Sequence, residues 1–205
     1  MKKPNDERNS SNQKLTVSES VFEGFLDGHK LCFERIPTAE SEARPDYIVI
    51  VNDKKLIFEV KEIASDENFR EGSSSREVGD HIRDKIAKAR TQIGFGSDQG
   101  IPSILLIYNN LDPMQMFGTE DHDFVHAMYG EHTISIEKSS GKIIDSFWGR
   151  NESFTSGKKT YFSALARLKV FKTHSEVTLF ENIYASVPVD FGSLPSCFQV
   201  KRFEI

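Results

Sequence analysis

Three ionisable side chains stand where the sequence pattern predicts buried β-structure. Glu59 and Lys61 belong to the apolar run LIFEVKEI (56–63), and Asp46 opens the preceding run DYIVIV (46–51). Residues two apart on a strand point to the same face, so Glu59 and Lys61 share one side of it. An unpaired buried charge costs several kcal/mol. We therefore expect these groups to pair with each other, to bind a metal ion, or to line a cleft at a strand end.

An Asn-Asp-Lys turn joins the two runs, and such a turn between β-branched runs predicts a β-hairpin. With the turn centred on residues 52–55, Asp46 faces Lys61 and Ile48 faces Glu59. All of these side chains then lie on one face of the sheet. This register predicts that both carboxylates and the lysine converge at one end of the hairpin.

Two carboxylates and a lysine at one point are suited to phosphodiester hydrolysis. Carboxylate oxygens bind hard cations such as Mg²⁺, which keeps several waters and accepts substrate phosphate as a further ligand. A bound metal ion polarises a phosphoryl oxygen and lowers the pKa of its water. The lysine can orient or deprotonate that water, or neutralise charge in the transition state.

The same residues carry a resemblance to a known family. Pro45-Asp46, followed thirteen positions later by Glu59-Val60-Lys61, resembles the PD-(D/E)XK motif of restriction-endonuclease-like nucleases. The resemblance covers roughly residues 17–110. It implies an α/β fold, a restriction-endonuclease-like mixed sheet flanked by helices. It also implies an Mg²⁺-dependent nuclease, with Mn²⁺ as a substitute. DNA is the first expected substrate, RNA stays open, and bacterial antiviral defence or repair is the expected context.

The resemblance implies further site residues on the flanking helices. Glu23, in VFEGFL, is the expected additional metal ligand beside Asp46 and Glu59, with Glu19 as the second choice. Gln92 is expected to orient substrate or nucleophile as a catalytic residue. Two lysines on the same flank of that helix are expected to contact the substrate: Lys85 and Lys88.

Hydrophobic periodicity predicts the elements that position these groups. Helical spacing runs over 17–27 and ends at Gly28, and a second helical stripe over 77–93 is broken by glycines at 94 and 96. Strands are predicted at 31–36, 46–51, 55–61 and 103–108. The two hairpin runs are apolar at consecutive positions, which is typical of strands covered on both faces.

The C-terminal half, residues 111–205, is predicted to be a β-rich extension. A short helix is predicted at 120–129. Strand-like runs follow at 133–137, 143–148, 160–171, 177–184 and 198–203. These strands either extend the central sheet or form a second small β layer, and the pattern leaves both open. Residues 15–205 are expected to form one domain, preceded by a disordered tail over residues 1–14.

Composition restricts the other function classes. A net charge of −5 over 205 residues argues against a protein that coats nucleic acid by bulk charge. The two cysteines are expected to be reduced thiols. No apolar run approaches the ~20 residues needed to span a bilayer, so a cytoplasmic protein without membrane contact is expected. A homodimer or a partner protein stays open.

Three alternatives compete with the nuclease hypothesis. In the first, Asp46 and Lys61 form a buried ion pair and Glu59 lies on the surface. The second is a catalytically inactive module that keeps the fold and binds nucleic acid or protein. His122 and His126, four apart in HDFVH, could ligate zinc as in HExxH proteases. Asp123 stands where that motif needs the longer glutamate base, so a solvent-facing helix is the better interpretation.

Overall fold

The computed structural model describes residues 15–37, 43–64, 77–112 and 114–205, and the predicted tail at residues 1–14 lies outside them. Three α-helices and nine strands follow one another in this part of the chain. They are α1 (Val17–Gly28), β1 (Cys32–Arg35), β2 (Tyr47–Val51), β3 (Lys54–Ile63), α2 (Asp80–Ser97), β4 (Ser103–Asn109), α3 (Asp121–Tyr129), β5 (Glu131–Ile136), β6 (Ile143–Gly149), β7 (Ala164–Val170), β8 (Ser175–Glu181) and β9 (Phe198–Lys201).

One mixed sheet organises the chain. Seven strands pair in the order β1-β2-β3-β4-β7-β8-β9, and β5 and β6 form a separate two-stranded sheet. The central strands β3, β4 and β7 are parallel, while β1-β2-β3 and β7-β8 are antiparallel. The predicted α/β class with helices beside a mixed sheet is confirmed. The C-terminal strands do both things that the pattern left open: three extend the sheet and two form a small layer.

The two faces of the sheet bury different helices. On β3, Leu56, Phe58 and Val60 pack with α1 in one apolar cluster. Ile63 and the inward stripe of α2 belong to the other cluster, which also includes α3. Since side chains alternate along a strand, Glu59 and Lys61 lie on the face of α2.

A two-residue turn sets the hairpin register. Asn52 and Asp53 have φ of 47° and 62°, the left-handed conformation at both central positions of a type I′ turn. Tyr47 therefore pairs with Phe58. The predicted register was wrong by two residues, because Lys54 belongs to the strand and not to the turn. A shift of two keeps every side chain on its predicted face, and it places Asp46 opposite Glu59 instead of Lys61.

The prediction that both hairpin strands are covered on two faces holds only for β3. Ile50 on β2 is 42% exposed, while five consecutive residues of β3, from Leu56 to Val60, are buried. The reason is the position of α2, which packs against β3 and β4 and leaves β2 beyond its edge. The outer face of β2 is therefore open beside the charged groups.

Helix α2 continues through the glycines that were expected to break it. A Cβ atom on Gly96 would lie 2.4 Å from Ile57 Cδ1 and 2.2 Å from Ser103 Oγ, too close for any side chain. Gly96 is thus present because the helix touches β3 and β4 there, and it fixes the height of α2 above the sheet.

Candidate active site

Asp46, Glu59 and Lys61 come together at the end of the hairpin. The Lys61 ammonium lies 2.6 Å from Glu59 Oε1. The backbone N–H of Val60 donates to Asp46 Oδ2 over 2.7 Å, which ties the Asp46 side chain to the strand between the other two residues. The Asp46 backbone N–H donates to Phe58, so the hairpin pairing continues up to the charged groups.

Glu59 is the most deeply buried member of the site. Its exposed fraction is 1%, and no N–H or O–H donor of the described residues reaches its Oε2 atom. This carboxyl group also contacts Asp46, and a hydrogen bond between the two carboxyl groups affects the pKa of both. The Lys61 side chain is 28% exposed, so the site opens to solvent on the lysine side. The alternative with Glu59 on the surface and an Asp46–Lys61 pair is wrong, since Lys61 pairs with a buried Glu59.

Burial and mutual repulsion hold the two carboxyl groups in an unusual protonation range. Burial and the nearby charge of Asp46 raise the pKa of Glu59 to about 8, against the attraction of Lys61. Burial also raises the pKa of Asp46, although the Val60 N–H and Lys61 favour its ionised form. One lysine does not compensate two carboxylates, so an additional cation would stabilise their ionised forms.

The donor set fits a small hard cation. Asp46 and Glu59 offer carboxylate oxygens on one face of the sheet. The Glu59 Oε2 atom receives no hydrogen bond from an N–H or O–H donor of the described residues. Mg²⁺ is commonly held by one or two carboxylates while it keeps several waters. No group of three or more His, Cys, Asp or Glu side chains placed to hold a metal occurs among the described residues. The fit therefore rests on the two carboxylates alone.

The structure does not bring Glu23 to this pair. The Arg35 guanidinium donates to both of its carboxylate oxygens, and the Tyr47 hydroxyl donates to Oε1 over 2.9 Å. Tyr47 packs with α1, on the sheet face opposite Glu59. Glu19, one turn earlier, is the α1 acid whose charge contributes to the raised pKa of Asp46.

One flank of α2 faces the carboxylates. On the other flank, Arg83 donates to the His126 carbonyl of α3, and the charge of Arg90 acts on Tyr161, just before β7. The flank that carries Gln92 therefore points to the β2–β3 side. Since α2 connects two parallel strands, it runs antiparallel to β3.

Gln92 lies at the level of Glu59. Gly96 contacts Ile57, and both elements can be measured from that contact. Gln92 lies four helix residues from Gly96 and Glu59 lies two strand residues from Ile57, and each of these distances along the element is about 6 Å. The Gln92 Oε1 atom, like the Glu59 Oε2 atom, is buried without a hydrogen-bond partner in the described structure. Two facing elements thus each present an unsatisfied oxygen at the same level.

The two lysines predicted to contact substrate lie on the same flank. Lys85 Nζ is 3.4 Å from Asp84 Oδ2, and its side chain is 18% exposed. Lys88 forms a 2.8 Å pair with the same oxygen and is 63% exposed. Lys88 is therefore exposed and Lys85 mostly buried, and each is partly neutralised by Asp84.

A second charged group on this face was missed by sequence reasoning. Arg167 on β7 is only 9% exposed and donates to the Thr119 carbonyl over 3.0 Å and to Asp121 over 2.9 Å. Lys201 on β9 pairs with the other oxygen of Asp121. An arginine inside the apolar run ALARLKV was the available signal, by the same argument that identified Glu59.

The histidine pair of α3 belongs to a packed element. His126 lies edge-on to Trp148, with ring centroids 5.5 Å apart, and His122 is 62% exposed beside Asp123. Asp123 is buried and accepts from the backbone N–H groups of Gly79 and Glu120. The expectation of a solvent-facing helix was wrong, because six of the nine residues of α3 are buried in the core.

Comparison with known proteins provides no independent assignment: no family model, curated protein or solved structure matches the chain. Across the described ranges, no helix combines the length and apolarity required to cross a membrane.

Proposed function

We propose that this protein is a metal-dependent nuclease that hydrolyses phosphodiester bonds of nucleic acid, with DNA as the first substrate to test. The observation that carries the proposal is the buried Glu59 carboxyl group beside Asp46. Its Oε1 atom lies 2.6 Å from Lys61 Nζ, and no N–H or O–H donor of the described residues reaches its Oε2 atom. Most buried polar atoms in native structures have a hydrogen-bond partner, and an additional cation would supply one here.

Asp46 and Glu59 would hold the metal ion. When bound, Mg²⁺ supplies a polarised phosphoryl oxygen and a water of lowered pKa. Because the pKa of Glu59 is about 8, this carboxyl holds a proton at neutral pH that must leave before the oxygen can bind a cation. The backbone N–H of Val60 keeps Asp46 oriented towards the same point.

Lys61 would act on the phosphate from the open side of the site. Its ammonium is partly exposed and contacts Glu59 Oε1, so a metal ion bound to Glu59 would lie close to it. A positive charge at this point neutralises the charge that develops on the phosphoryl oxygens during attack. The Gln92 amide would orient the attacking water, which its unpartnered Oε1 atom supports, and the exposed Lys88 would contact a neighbouring phosphate.

A catalytically inactive module with the same fold is the second candidate. It is favoured by the arrangement around Glu23, whose two oxygens are used by Arg35 and Tyr47, so that α1 offers no carboxylate from this position. Such a module would bind nucleic acid or a protein partner without cleaving it.

The test is cleavage of single- and double-stranded DNA and RNA with Mg²⁺ or Mn²⁺. We expect cleavage that EDTA abolishes, and a loss of at least about 100-fold in each of Asp46→Asn, Glu59→Gln and Lys61→Met. The matched control is Glu34→Gln, an exposed acid of β1, which should cleave as the parent does. Cleavage that survives all three site substitutions would place the centre elsewhere. Metal-independent binding without cleavage would favour the inactive module.

A further inference from the structure

Three cations from two distant segments lie together on the far flank of α2. Arg90 belongs to α2, and Lys158 and Lys159 to the segment between β6 and β7. The two segments meet in one apolar cluster, in which Ala89 and Ile93 of α2 lie with Phe154 and Phe162. Burial and the charges of Lys158 and Arg90 lower the pKa of Lys159. Within the described ranges, none of the three has a carboxylate partner. A chain of net charge −5 thus carries an uncompensated positive patch.

The segment that presents the two lysines is firmly held. Thr155 and Lys158 exchange two backbone hydrogen bonds of 3.2 and 3.1 Å. On one side of this turn Phe154 is buried, and on the other Phe162 is buried, with their ring centroids 5.4 Å apart. Lys158 and Lys159 therefore belong to a turn anchored in the core, and the Lys158 ammonium donates to the Glu152 carbonyl over 2.7 Å.

Lys159 occupies a costly backbone conformation. Its φ is +55°, the left-handed region that disfavours a side chain such as lysine. The conformation is held by neighbours: the Lys159 carbonyl accepts from Phe162, and the Thr160 carbonyl accepts from the Ser186 N–H over 2.7 Å. The held backbone fixes the direction in which the Lys159 side chain leaves the turn.

We propose that Arg90, Lys158 and Lys159 dock the phosphate backbone of a nucleic-acid strand that extends beyond the active site. The inference rests on the proposed function, because it takes the substrate class from it. Arg90 and Gln92 lie on opposite flanks of α2, so a strand that leaves the site reaches the patch by crossing one helix. That crossing is about 10 Å wide and passes over the small exposed residues Ala87 and Thr91.

Tyr161 gives the patch a second recognition element. Its ring lies 5.1 Å from Phe162, it is partly exposed, and the charge of Arg90 acts on its hydroxyl. An aromatic ring beside phosphate-binding cations is a stacking surface for a base of a single strand. The patch therefore fits a single strand better than a flat anionic surface.

The experiment measures binding without catalysis. In the Glu59→Gln background, with EDTA, the affinity for labelled single-stranded DNA and RNA is followed by fluorescence anisotropy against salt concentration. We expect Lys159→Asn and Arg90→Gln each to weaken binding by about 3- to 10-fold at low salt, irrespective of base sequence. Each should also reduce the slope of log Kd against log salt by roughly 0.7.

Lys30→Asn is the matched control. Lys30 is also a lysine in the left-handed region, with φ of +57°, and it follows α1 on the other side of the sheet. Asparagine tolerates this conformation, so both substitutions remove a charge without adding strain. Binding by Lys30→Asn should equal that of the parent. Unchanged binding by both patch variants, or an equal loss in Lys30→Asn, would overturn the docking patch.

Two further arms separate the possible failures. A poly-glutamate peptide that displaces nothing supports a nucleic-acid occupant, whereas tight binding of that peptide with no affinity for nucleic acid would reassign the patch to an acidic protein. If no variant of the chain cleaves with any metal, the binding measurement in EDTA still tests the patch. If the patch fails, loss of cleavage in Asp46→Asn still tests the active site.

Discussion

Two groups of charged side chains on the same face of the sheet have opposite ratios of acids to cations. Lys61 and Arg167 lie in one lateral row of the sheet, with Ile107 between them. The first group sets two acids, Asp46 and Glu59, against Lys61. The second sets two cations, Arg167 and Lys201, against the single acid Asp121.

The protonation of the acids follows from this balance. Burial raises the pKa of Asp121, but Lys201 and Arg167 outweigh it and hold that pKa below the ordinary value. At Glu59 burial and a second acid prevail, and one oxygen remains unpartnered. Arg167 Nε is also buried without a hydrogen-bond partner in the described structure, so the two groups differ in their charge balance. The cations of the second group outnumber its acid, and the acids of the first group outnumber its lysine.

Removal of the cation from each group should separate activity from stability. Lys61→Met is expected to lower cleavage by at least about 100-fold and to change the free energy of unfolding by less than about 1 kcal/mol, because the metal-free Glu59 is already protonated at neutral pH and leaves no unpaired charge. Arg167→Met is expected to destabilise the fold by about 3 kcal/mol, since it leaves Thr119 and Asp121 short of a donor. Denaturant unfolding and cleavage assays measure the two effects. An Arg167→Met protein as stable as the parent would contradict a stabilising role of Arg167 in the second group.

The height of α2 above the acid-rich group can be tested with two glycines of one helix. Gly96→Ala should destabilise by about 1–3 kcal/mol, because the new methyl group meets Ile57 and Ser103. Gly94→Ala meets nothing within 4 Å and should stabilise by up to about 1 kcal/mol through helix propensity. Both are measured by thermal and denaturant unfolding. Equal effects of the two substitutions would show that Gly96 does not set the spacing.

The two groups should give opposite pH dependences of stability. Between the ordinary value of 4.5 and about 8, Glu59 is protonated in the folded chain and ionised in the unfolded chain. Glu59 therefore makes the metal-free protein lose stability as the pH rises through this window, by at most about 1.4 kcal/mol per pH unit. Glu59→Gln removes this contribution and leaves that of Asp46, whose pKa is also raised. Asp121, with its lowered pKa, contributes stability above its ordinary value of 3.8 that is lost as the pH falls through the folded pKa. Urea unfolding across this pH range tests both signs, and a parent slope that Glu59→Gln retains undiminished would exclude Glu59 as its source.

Magnesium should stabilise the first group only. At a concentration tenfold above its Kd, binding to the folded state adds about 1.4 kcal/mol. We expect this gain in the parent and in Asp121→Asn, and none in Asp46→Asn or Glu59→Gln. The gain should be larger at pH 8 than at pH 6, because the proton on Glu59 competes with the cation. A thermal shift series with Mg²⁺ measures it, and an equal shift in Glu59→Gln would place the metal elsewhere.

Sequence reasoning was most successful where local rules are strong. The helical spacing over 17–27 predicts α1, and the stripe Ile82, Ile86, Ala89 and Ile93 predicts α2. It failed at Gly96, which was expected to end the helix. A glycine is needed there because the helix contacts β3 and β4 at this position. It also failed at the hairpin register, where one residue more or less in the turn decides which side chains oppose each other.

The sequence by itself determined the side of the strand on which Glu59 and Lys61 lie, since alternation is a property of the extended backbone. It also determined that a charge in an apolar run needs a partner. Only the tertiary structure decided which partner each charge has. Glu23 accepts from Arg35, Arg167 donates to Asp121, and no donor of the described residues reaches Glu59 Oε2. The physical reason is that these pairings join segments far apart in the chain, and their distances depend on how helices pack on the sheet.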